Sequence, residues 1–209
     1  TGAGKSTLIN LLSRFYEYDS GQIYLDEMSI RDFSIKSLRG HLGVVLQEVF
    51  LFADTIFNNI TLKNPDISIE MVKLVAKEIG VDKFIESLPE GYNYNVKERG
   101  AMLSSGQRQL IAFLRVYISN PSILILDEAT SSVDSNSEEL IKIATSKITK
   151  NKTSIIIAHR LSTIKNADRI VVMDKGKIVE IGTHDDLLKI KGGFYAKLSR
   201  IEFLDNVLV

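Results

Sequence analysis

The segment Thr1–Thr7, with the sequence Thr-Gly-Ala-Gly-Lys-Ser-Thr, constrains the fold of this chain most. It is a glycine-rich turn that leads directly into a predicted helix, whose apolar face is formed by Leu8, Ile9, Leu11, Leu12 and Phe15. Glycines in such a turn let backbone N–H groups approach phosphate oxygens, and the N-terminus of the following helix attracts anions. The segment matches the end of the pattern G-x-x-x-x-G-K-[ST], so it predicts a phosphate-binding loop. Because the first glycine of the pattern is absent, we expect the chain to be truncated at its N-terminus within this motif.

Each residue of this loop has a predicted part in holding a nucleotide. The candidates are Gly2, Ala3, Gly4, Lys5, Ser6 and Thr7. Lys5 is predicted to hold the β- and γ-phosphates, and the hydroxyl of Ser6 to bind Mg²⁺, a hard cation that takes few protein ligands. The alternative is a glycine-rich turn that only caps a helix.

Composition limits the classes of partner and compartment. Lys and Arg together number 26, as do Asp and Glu, so no net charge favours nucleic acid or an anionic membrane surface. The absence of cysteine excludes disulfides and thiolate metal sites, which agrees with a reducing compartment. No stretch approaches the roughly 20 consecutive apolar residues that cross a bilayer, so we expect no direct membrane insertion by this chain.

Apolar strands alternate with amphipathic helices along most of the chain. The pattern predicts a short strand at Ile23 and Leu25 and further strands at 44–46, 123–126, 154–158 and 169–173. It predicts helices over 68–88, after Ser104 and over 135–149, and two short helices around Gly192 and Gly193. A turn is predicted at 174–177. This order predicts an α/β fold with a mainly parallel sheet flanked by helices. We assign a nucleotide-binding core to 1–46 and 116–209, and an inserted helical subdomain to 47–115.

Two carboxylates end the strand at 123–126. Asp127 and Glu128 lie where open α/β sheets bind their ligands, at the carboxyl edge of the strands. Asp127 suits the Mg²⁺ shell, and Glu128 is placed to polarise a water for attack on a γ-phosphate. An apolar strand that ends in Asp-Glu is usually followed by a solvated loop, but with the lysine loop it becomes the second half of one site.

Gln47 and His159 also follow short apolar strands, so we expect both at the same edge as Asp127. Gln47 is predicted to contact the metal, and His159 to contact the γ-phosphate. Either residue alone is more often a surface or capping residue, so the argument rests on their order and spacing.

Leu103–Gln107, with the sequence Leu-Ser-Ser-Gly-Gln, predicts a second anion site. The Ser104 hydroxyl and the N–H groups of Ser105, Gly106 and Gln107 stand at the start of a predicted helix. Two such sites for one nucleotide make sense if the second binds a partner's nucleotide. The alternative is a serine N-cap on an ordinary helix.

Together these motifs resemble those of the ABC ATPase family over essentially the whole chain. Gly2–Thr7 is similar to the end of Walker A, Gln47 to the Q-loop, Leu103–Gln107 to the signature, and Ile123–Glu128 to Walker B. The D-loop matches Ser131–Asp134, which makes Asp134 a nucleotide contact, and the H-loop matches His159. Exporters in particular have segments like 51–60, Glu98–Gly100 and Gly182–Leu188.

The resemblance implies a P-loop NTPase that binds ATP and Mg²⁺ and hydrolyses ATP to power an exporter. It implies a head-to-tail dimer with a second nucleotide-binding domain, in a homodimer or a heterodimer, with two ATP molecules between the subunits. The expected further partner is a transmembrane domain fused upstream in the parent chain, and the expected location is the cytoplasmic side of the plasma (inner) membrane. No nucleic-acid partner is expected.

Three features depart from the family pattern. The aromatic residue that stacks on adenine belongs upstream of residue 1, Ser105 stands where the signature usually has glycine, and Leu110 stands where many members have arginine. We still expect ATPase activity from the full-length protein, because the Walker residues are intact.

Three other functions compete with this interpretation. An ABC ATPase acting on chromosomes would carry a long coiled coil between Walker A and the signature, whereas only residues 8–102 lie between them here. An ABC ATPase acting on ribosomes would carry two cassettes with a basic linker. A non-catalytic cassette commonly lacks the counterpart of Glu128 or of His159. A P-loop kinase or GTPase leaves Gln47 and 103–107 unexplained.

Overall fold

The computed structural model describes residues 2–127, 135–158 and 161–207, without the side chains of 135, 136, 161, 162 and 201–207. The chain divides into two compact units. The first comprises Thr1–Phe33 and Ile157–Val209, and the second comprises Ser34–Ile156. Within the described residues, no helix is long and apolar enough to cross a membrane.

The first unit combines two small antiparallel hairpins with helices. Its elements are α1 (Lys5–Leu12), β1 (Tyr24–Leu25), β2 (Met28–Ser29), α8 (Leu161–Ile164), β6 (Ile170–Asp174), β7 (Lys177–Gly182), α9 (His184–Lys189) and α10 (Phe194–Val207). β1 pairs with β2, and β6 pairs with β7.

The C-terminal part of this unit is held by a small apolar cluster and by one carboxylate. Ile170, Val172, Leu187 and Tyr195 form the buried cluster. The two carboxylate oxygens of Glu180 accept hydrogen bonds from the backbone N–H groups of Phe194 (2.7 Å) and Tyr195 (2.9 Å). Since the first N–H groups of a helix have no partner within the helix, Glu180 caps α10 and ties it to β7.

The second unit contains a three-stranded sheet and most of the helices. Its elements are α2 (Ile35–His41), β3 (Leu42–Val45), α3 (Ile56–Thr61), α4 (Ile69–Ile79), α5 (Asp82–Glu86), two 3₁₀ helices (Gly91–Asn93 and Glu98–Gly100), α6 (Ser105–Ser119), β4 (Ile123–Asp127), α7 (Ser135–Thr149) and β5 (Thr153–Ile157). The strand order is β3-β4-β5, and β3 runs parallel to β4 with Leu42 opposite Ile123 and Val45 opposite Leu126.

Helix α6 lies at the centre of the second unit's core. Its buried residues include Leu110, Ile111, Phe113 and Leu114, which belong to the same cluster as residues of α3, α4, β4 and α7. Removing this much apolar surface from water is the main stabilising contribution to the unit. The core therefore fixes α6 against both the sheet and the neighbouring helices.

The predicted α/β class is confirmed, and the predicted strands are present with ends shifted by one or two residues. The turn predicted at 174–177 is present, and it joins β6 to β7 as an antiparallel hairpin. The reason is the two-residue connection of Lys175 (φ 47°) and Gly176 (φ 75°), since two positive φ angles form a hairpin turn. The helical subdomain assigned to 47–115 stays a prediction.

Candidate functional site

The glycine-rich loop of the first unit has the backbone of an anion-binding turn. Gly2 (φ 79°) and Gly4 (φ 95°) both adopt left-handed conformations, which glycine reaches without steric cost. Gly4 is the N-cap of α1 and, as a glycine, supplies no side-chain cap, while its carbonyl oxygen accepts from the N–H of Leu8 at 3.0 Å. Without a capping side chain, the first N–H groups of α1 are available to an anion.

The loop is supported from behind by the β6–β7 turn. The N–H of Gly176 donates to Ala3 O at 3.1 Å, and a Cβ added to Gly4 would lie 3.5 Å from Gly176 Cα. Lys5 is half-buried at the start of α1, whereas Ser6 and Thr7 are exposed. Gly2, Ala3 and Gly4 therefore form a turn that leads directly into α1, whose first three residues are Lys5, Ser6 and Thr7.

Arg14 holds the opposite end of α1, a role that the sequence did not reveal. Its guanidinium donates to the carbonyl oxygens of Ile30 (3.1 Å) and Phe33 (2.9 Å), and to the carboxylate of Glu17 (3.0 Å). Arg14 itself has a φ of 49°, so the chain turns sharply where α1 ends. These bonds fix the C-terminal end of α1, the helix that begins at the glycine-rich loop.

Asp127 and Gln47 lie at the same edge of the sheet in the second unit. Val45 lies opposite Leu126 in the parallel ladder, so the chain leaves β3 towards Gln47 where β4 ends at Asp127. Asp127 is half-buried and Gln47 is exposed. Their carboxylate and amide oxygens are hard donors of the kind that Mg²⁺ accepts.

A small pocket adjoins Asp127, and Gln109 of α6 contributes a polar group to it. Gln109 is 7% exposed. The other lining residues are Val45, Phe113, Leu126, Thr145 and Ile156. Sequence reasoning missed Gln109, because its position on a helix gives no sign that it faces the carboxylate end of β4.

The N-terminus of α6 is closed by a reciprocal cap. The hydroxyl oxygen of Ser104 accepts from the N–H of Gln107 at 3.2 Å, and Gln107 Oε1 accepts from the N–H of Ser104 at 3.0 Å. This is a capping box, so the simple N-cap interpretation of Ser104 holds. A hydroxyl that accepts one hydrogen bond keeps its own hydrogen to donate, which leaves Ser104 able to bind an anion as well.

The departures from the family pattern at Ser105 and Leu110 fit their surroundings. Ser105 is the first residue of α6 and has no positive φ, so its backbone does not require glycine. Leu110 is 1% exposed in the core around α6, where an apolar side chain is favoured.

The segment before the signature is tightly wound. Lys97 (φ 60°), Arg99 (φ 53°) and Gly100 (φ 68°) all have left-handed φ values. The guanidinium of Arg108 donates to Leu103 O at 2.9 Å and holds this segment against α6. The predicted roles of Glu128, Asp134 and His159 fall on residues outside those that the structure describes.

Comparison with known proteins decides the family. The family model described as ABC transporter matches residues 1–131. The chain belongs to the ABC transporter family. It is an ATP-binding domain of that family, whose members hydrolyse ATP to drive transport, and a general P-loop kinase or GTPase is excluded.

Individual relatives agree with the exporter resemblance. A putative ABC transporter ATP-binding protein, exp8, of Streptococcus pneumoniae is 50% identical over 97% of this chain and 34% of its own length. The putative multidrug export ATP-binding/permease protein YgaD of Bacillus subtilis is 50% identical over 90% of this chain and 32% of its own length. The chain thus spans about a third of these relatives.

A solved structure supports the fold independently. The structure of a bacterial Atm1-family ABC exporter with ATP bound matches with a TM-score of 0.88 and 42% identity, over 97% of this chain and 35% of that chain. The fold is therefore that of an ABC exporter nucleotide-binding domain.

Proposed function

We propose that this domain works in pairs within a membrane exporter, and that ATP binding and hydrolysis in each pair drive export by an attached transmembrane domain. The observation that carries the proposal is the presence of two helix N-termini suited to phosphate, at Gly4 of α1 and at Ser104 of α6. Relatives named as multidrug export ATP-binding/permease proteins support the same function.

The loop Gly2–Thr7 binds the phosphates of ATP, with Lys5 beside the β- and γ-phosphates. Its fit to phosphate rests on the uncapped start of α1 and on the left-handed glycines. Ser6, Gln47 and Asp127 would hold Mg²⁺ through hydroxyl, amide and carboxylate oxygens. When bound, the cation neutralises charge on the phosphates that separate during hydrolysis.

Glu128 orients the attacking water and accepts its proton, and His159 contacts the γ-phosphate. Ser104–Gln107 bind the γ-phosphate of the ATP held by the partner subunit, and Asp134 contacts nucleotide at the same interface. One nucleotide has one γ-phosphate, whereas each chain offers two anion-binding helix ends. A symmetric head-to-tail pair uses all four ends with two ATP molecules.

Phe50 and Phe52 supply the surface on which the transmembrane domain docks. Their rings are 56% and 53% exposed and meet edge to face, with centroids 5.2 Å apart. Exposed aromatic pairs of this kind favour protein interfaces. The N–H of Val96 donates to Asp54 O at 3.1 Å, which joins this segment to the residues that precede Glu98–Gly100.

We propose that the domain lies on the cytoplasmic side of the plasma membrane, with the transmembrane domain fused upstream. The fused ATP-binding/permease relatives support such a chain. Both a homodimer and a heterodimer agree with the two-site scheme.

Mg²⁺-dependent ATPase activity of the purified full-length protein tests the proposal. Lys5→Ala removes the cation beside the phosphates and should lower the rate about a hundredfold or more. Lys36→Ala is the matched control, because Lys36 is an exposed lysine in the first turn of another helix, α2. Hydrolysis by Lys5→Ala at the wild-type rate would show that the phosphate site is wrong.

A further inference from the structure

Asn59 of α3 is a polar residue with no exposed surface, and its amide is used to fix the backbone of Phe52. Its Oδ1 accepts from the N–H of Phe52 at 2.8 Å, and its Nδ2 donates to Phe52 O at 3.0 Å. A third bond runs from Nδ2 to Thr55 O, also at 3.0 Å. Buried side-chain amides with several good partners hold their surroundings in one arrangement.

The main chain of the same residue is bonded to helix α6. Asn59 O accepts from Arg115 Nε at 2.9 Å, a contact between residues 56 positions apart. Burial lowers the pKa of the Arg115 guanidinium, and its Nη2 has no hydrogen-bond partner within the described part of the chain. The bond to Asn59 O therefore ties a largely buried guanidinium to α3. Hydrogen bonds from charged donors are stronger than those between neutral groups.

Apolar packing joins the same two helices. Ile56 and Ile60 of α3 are buried in the cluster that contains Leu110, Ile111 and Leu114 of α6. Asn59 thus makes two connections. Its side chain is hydrogen-bonded to the backbone of Phe52, and its carbonyl oxygen is hydrogen-bonded to Arg115 of α6, the helix that starts beside Ser104.

We propose that Asn59 is a positioning residue that holds the segment 50–55 and helix α6 together, so that the two move as one rigid body. Movement of a domain docked at Phe50 and Phe52 then accompanies movement of the Ser104 end of α6. This inference rests on the proposed function and adds to it the residue that joins the docking surface to the signature helix.

The chain offers a matched control next to Asn59. The amide of Asn58, on the same helix, donates to Asp54 Oδ1 at 2.8 Å, within the N-terminal turn of α3. Asn58→Ala therefore removes an asparagine hydrogen bond from α3 and leaves the bond between Arg115 and Asn59 O in place. Arg115→Met breaks that bond while keeping an unbranched apolar side chain.

Hydrogen exchange of the full-length protein tests the inference, with a non-hydrolysable ATP analogue and Mg²⁺ as the probe. In the wild type, the analogue should slow exchange both in 104–112 and in 50–60. In Asn59→Ala and in Arg115→Met, the slowing in 104–112 should remain while that in 50–60 falls. The fall should be about fivefold for Arg115→Met, which removes one buried hydrogen bond, and at least as large for Asn59→Ala, which removes three. Asn58→Ala should respond like the wild type.

The outcomes separate the inference from the proposed function. If the analogue leaves 104–112 of the wild type unchanged, the proposed binding of ATP at the signature fails. If 104–112 responds but 50–60 does not, or if Asn59→Ala keeps both responses, only the inference fails. It is also overturned if Asn58→Ala weakens the response as much as Asn59→Ala, or if neither Asn59→Ala nor Arg115→Met accumulates as folded protein, because Asn59 would then serve general stability.

Discussion

Ser104 and Gln107 each accept a hydrogen bond from the other's backbone N–H, at 3.2 Å and 3.0 Å. The pair closes the first turn of α6 and still leaves the hydroxyl hydrogen of Ser104 for a phosphate oxygen. The same residue therefore stabilises the helix and is proposed to bind the partner's ATP, and substitution separates the two roles.

Ser104→Ala should lower both stability and turnover, whereas Ser68→Ala should lower stability alone. Ser68 caps α4 in the same way, with its hydroxyl accepting from the N–H of Met71 at 3.2 Å. Losing either cap costs about 1 kcal/mol. The loss of a hydrogen bond to a charged phosphate should also slow the ATPase of Ser104→Ala about tenfold or more. Thermal unfolding and ATPase assays check this, and equal ATPase rates in the two variants would contradict the phosphate role.

Gly4→Ala should weaken nucleotide binding, and Gly21→Ala provides its control. Both glycines have left-handed backbones, with φ values of 95° and 88°, so an added Cβ should cost each variant about 1–2 kcal/mol of stability. Only Gly4 lies in the loop proposed to bind phosphate, where a shifted backbone would misdirect N–H groups. Titration with Mg²⁺-ATP should show weaker binding for Gly4→Ala alone, and equal affinities would argue against this loop as the phosphate site.

Ser105→Gly should leave the ATPase rate unchanged. Ser105 has no positive φ, so the backbone gains nothing from glycine. Glycine in a helix is about 0.5–1 kcal/mol less favourable than alanine, so stability should fall slightly. A sharp rise in turnover would show that the serine side chain obstructs the partner's phosphate.

Tyr92 should titrate at a higher pH than an ordinary tyrosine, and removing its hydroxyl should not lower the stability of the domain. Burial, helped by the charges of Glu86 and Asp82, raises the pKa of Tyr92 from 10 to about 12. The folded state favours the neutral phenol. The stability that protonated Tyr92 contributes is therefore complete below pH 10 and is lost as the pH rises towards about 12. The absorbance of phenolate, compared between wild type and Tyr92→Phe, measures this pKa, and titration of Tyr92 at its ordinary value would contradict the buried environment.

The hydroxyl of Tyr92 is buried without a hydrogen-bond partner among the described residues. Tyr92→Phe should therefore match or exceed the wild type in stability by up to about 1 kcal/mol. Denaturant unfolding checks this result, and a clear loss of stability would indicate a partner for the hydroxyl.

Local signals in the sequence predicted much of the fold. The helices after Ser104 and over 135–149 follow from apolar periodicity, and the turn at 174–177 from its lysine and glycine. Gln47 and Asp127 could be placed at one edge because both follow apolar strands of a parallel sheet. The register of β6 against β7, with its shift between Val172 and Met173, could not be predicted, because strand pairing depends on the partner strand and on the geometry of the turn.

Single contacts between distant residues leave no such pattern. Arg115 bonds to Asn59 across 56 positions, and Arg14 reaches the carbonyl oxygens of Ile30 and Phe33. Gln109 faces the pocket beside Asp127 only because α6 packs against the sheet at β3. Each of these placements depends on packing between elements, which the periodicity of one segment does not encode.

The most direct test of the two-site account is ATP retention by the full-length protein carrying Glu128→Gln, with and without Ser104→Ala. The account predicts that Glu128→Gln abolishes turnover and retains one radiolabelled ATP for each chain. Adding Ser104→Ala should release this ATP. Turnover by Glu128→Gln at the wild-type rate, or retention that Ser104→Ala leaves unchanged, would contradict the account.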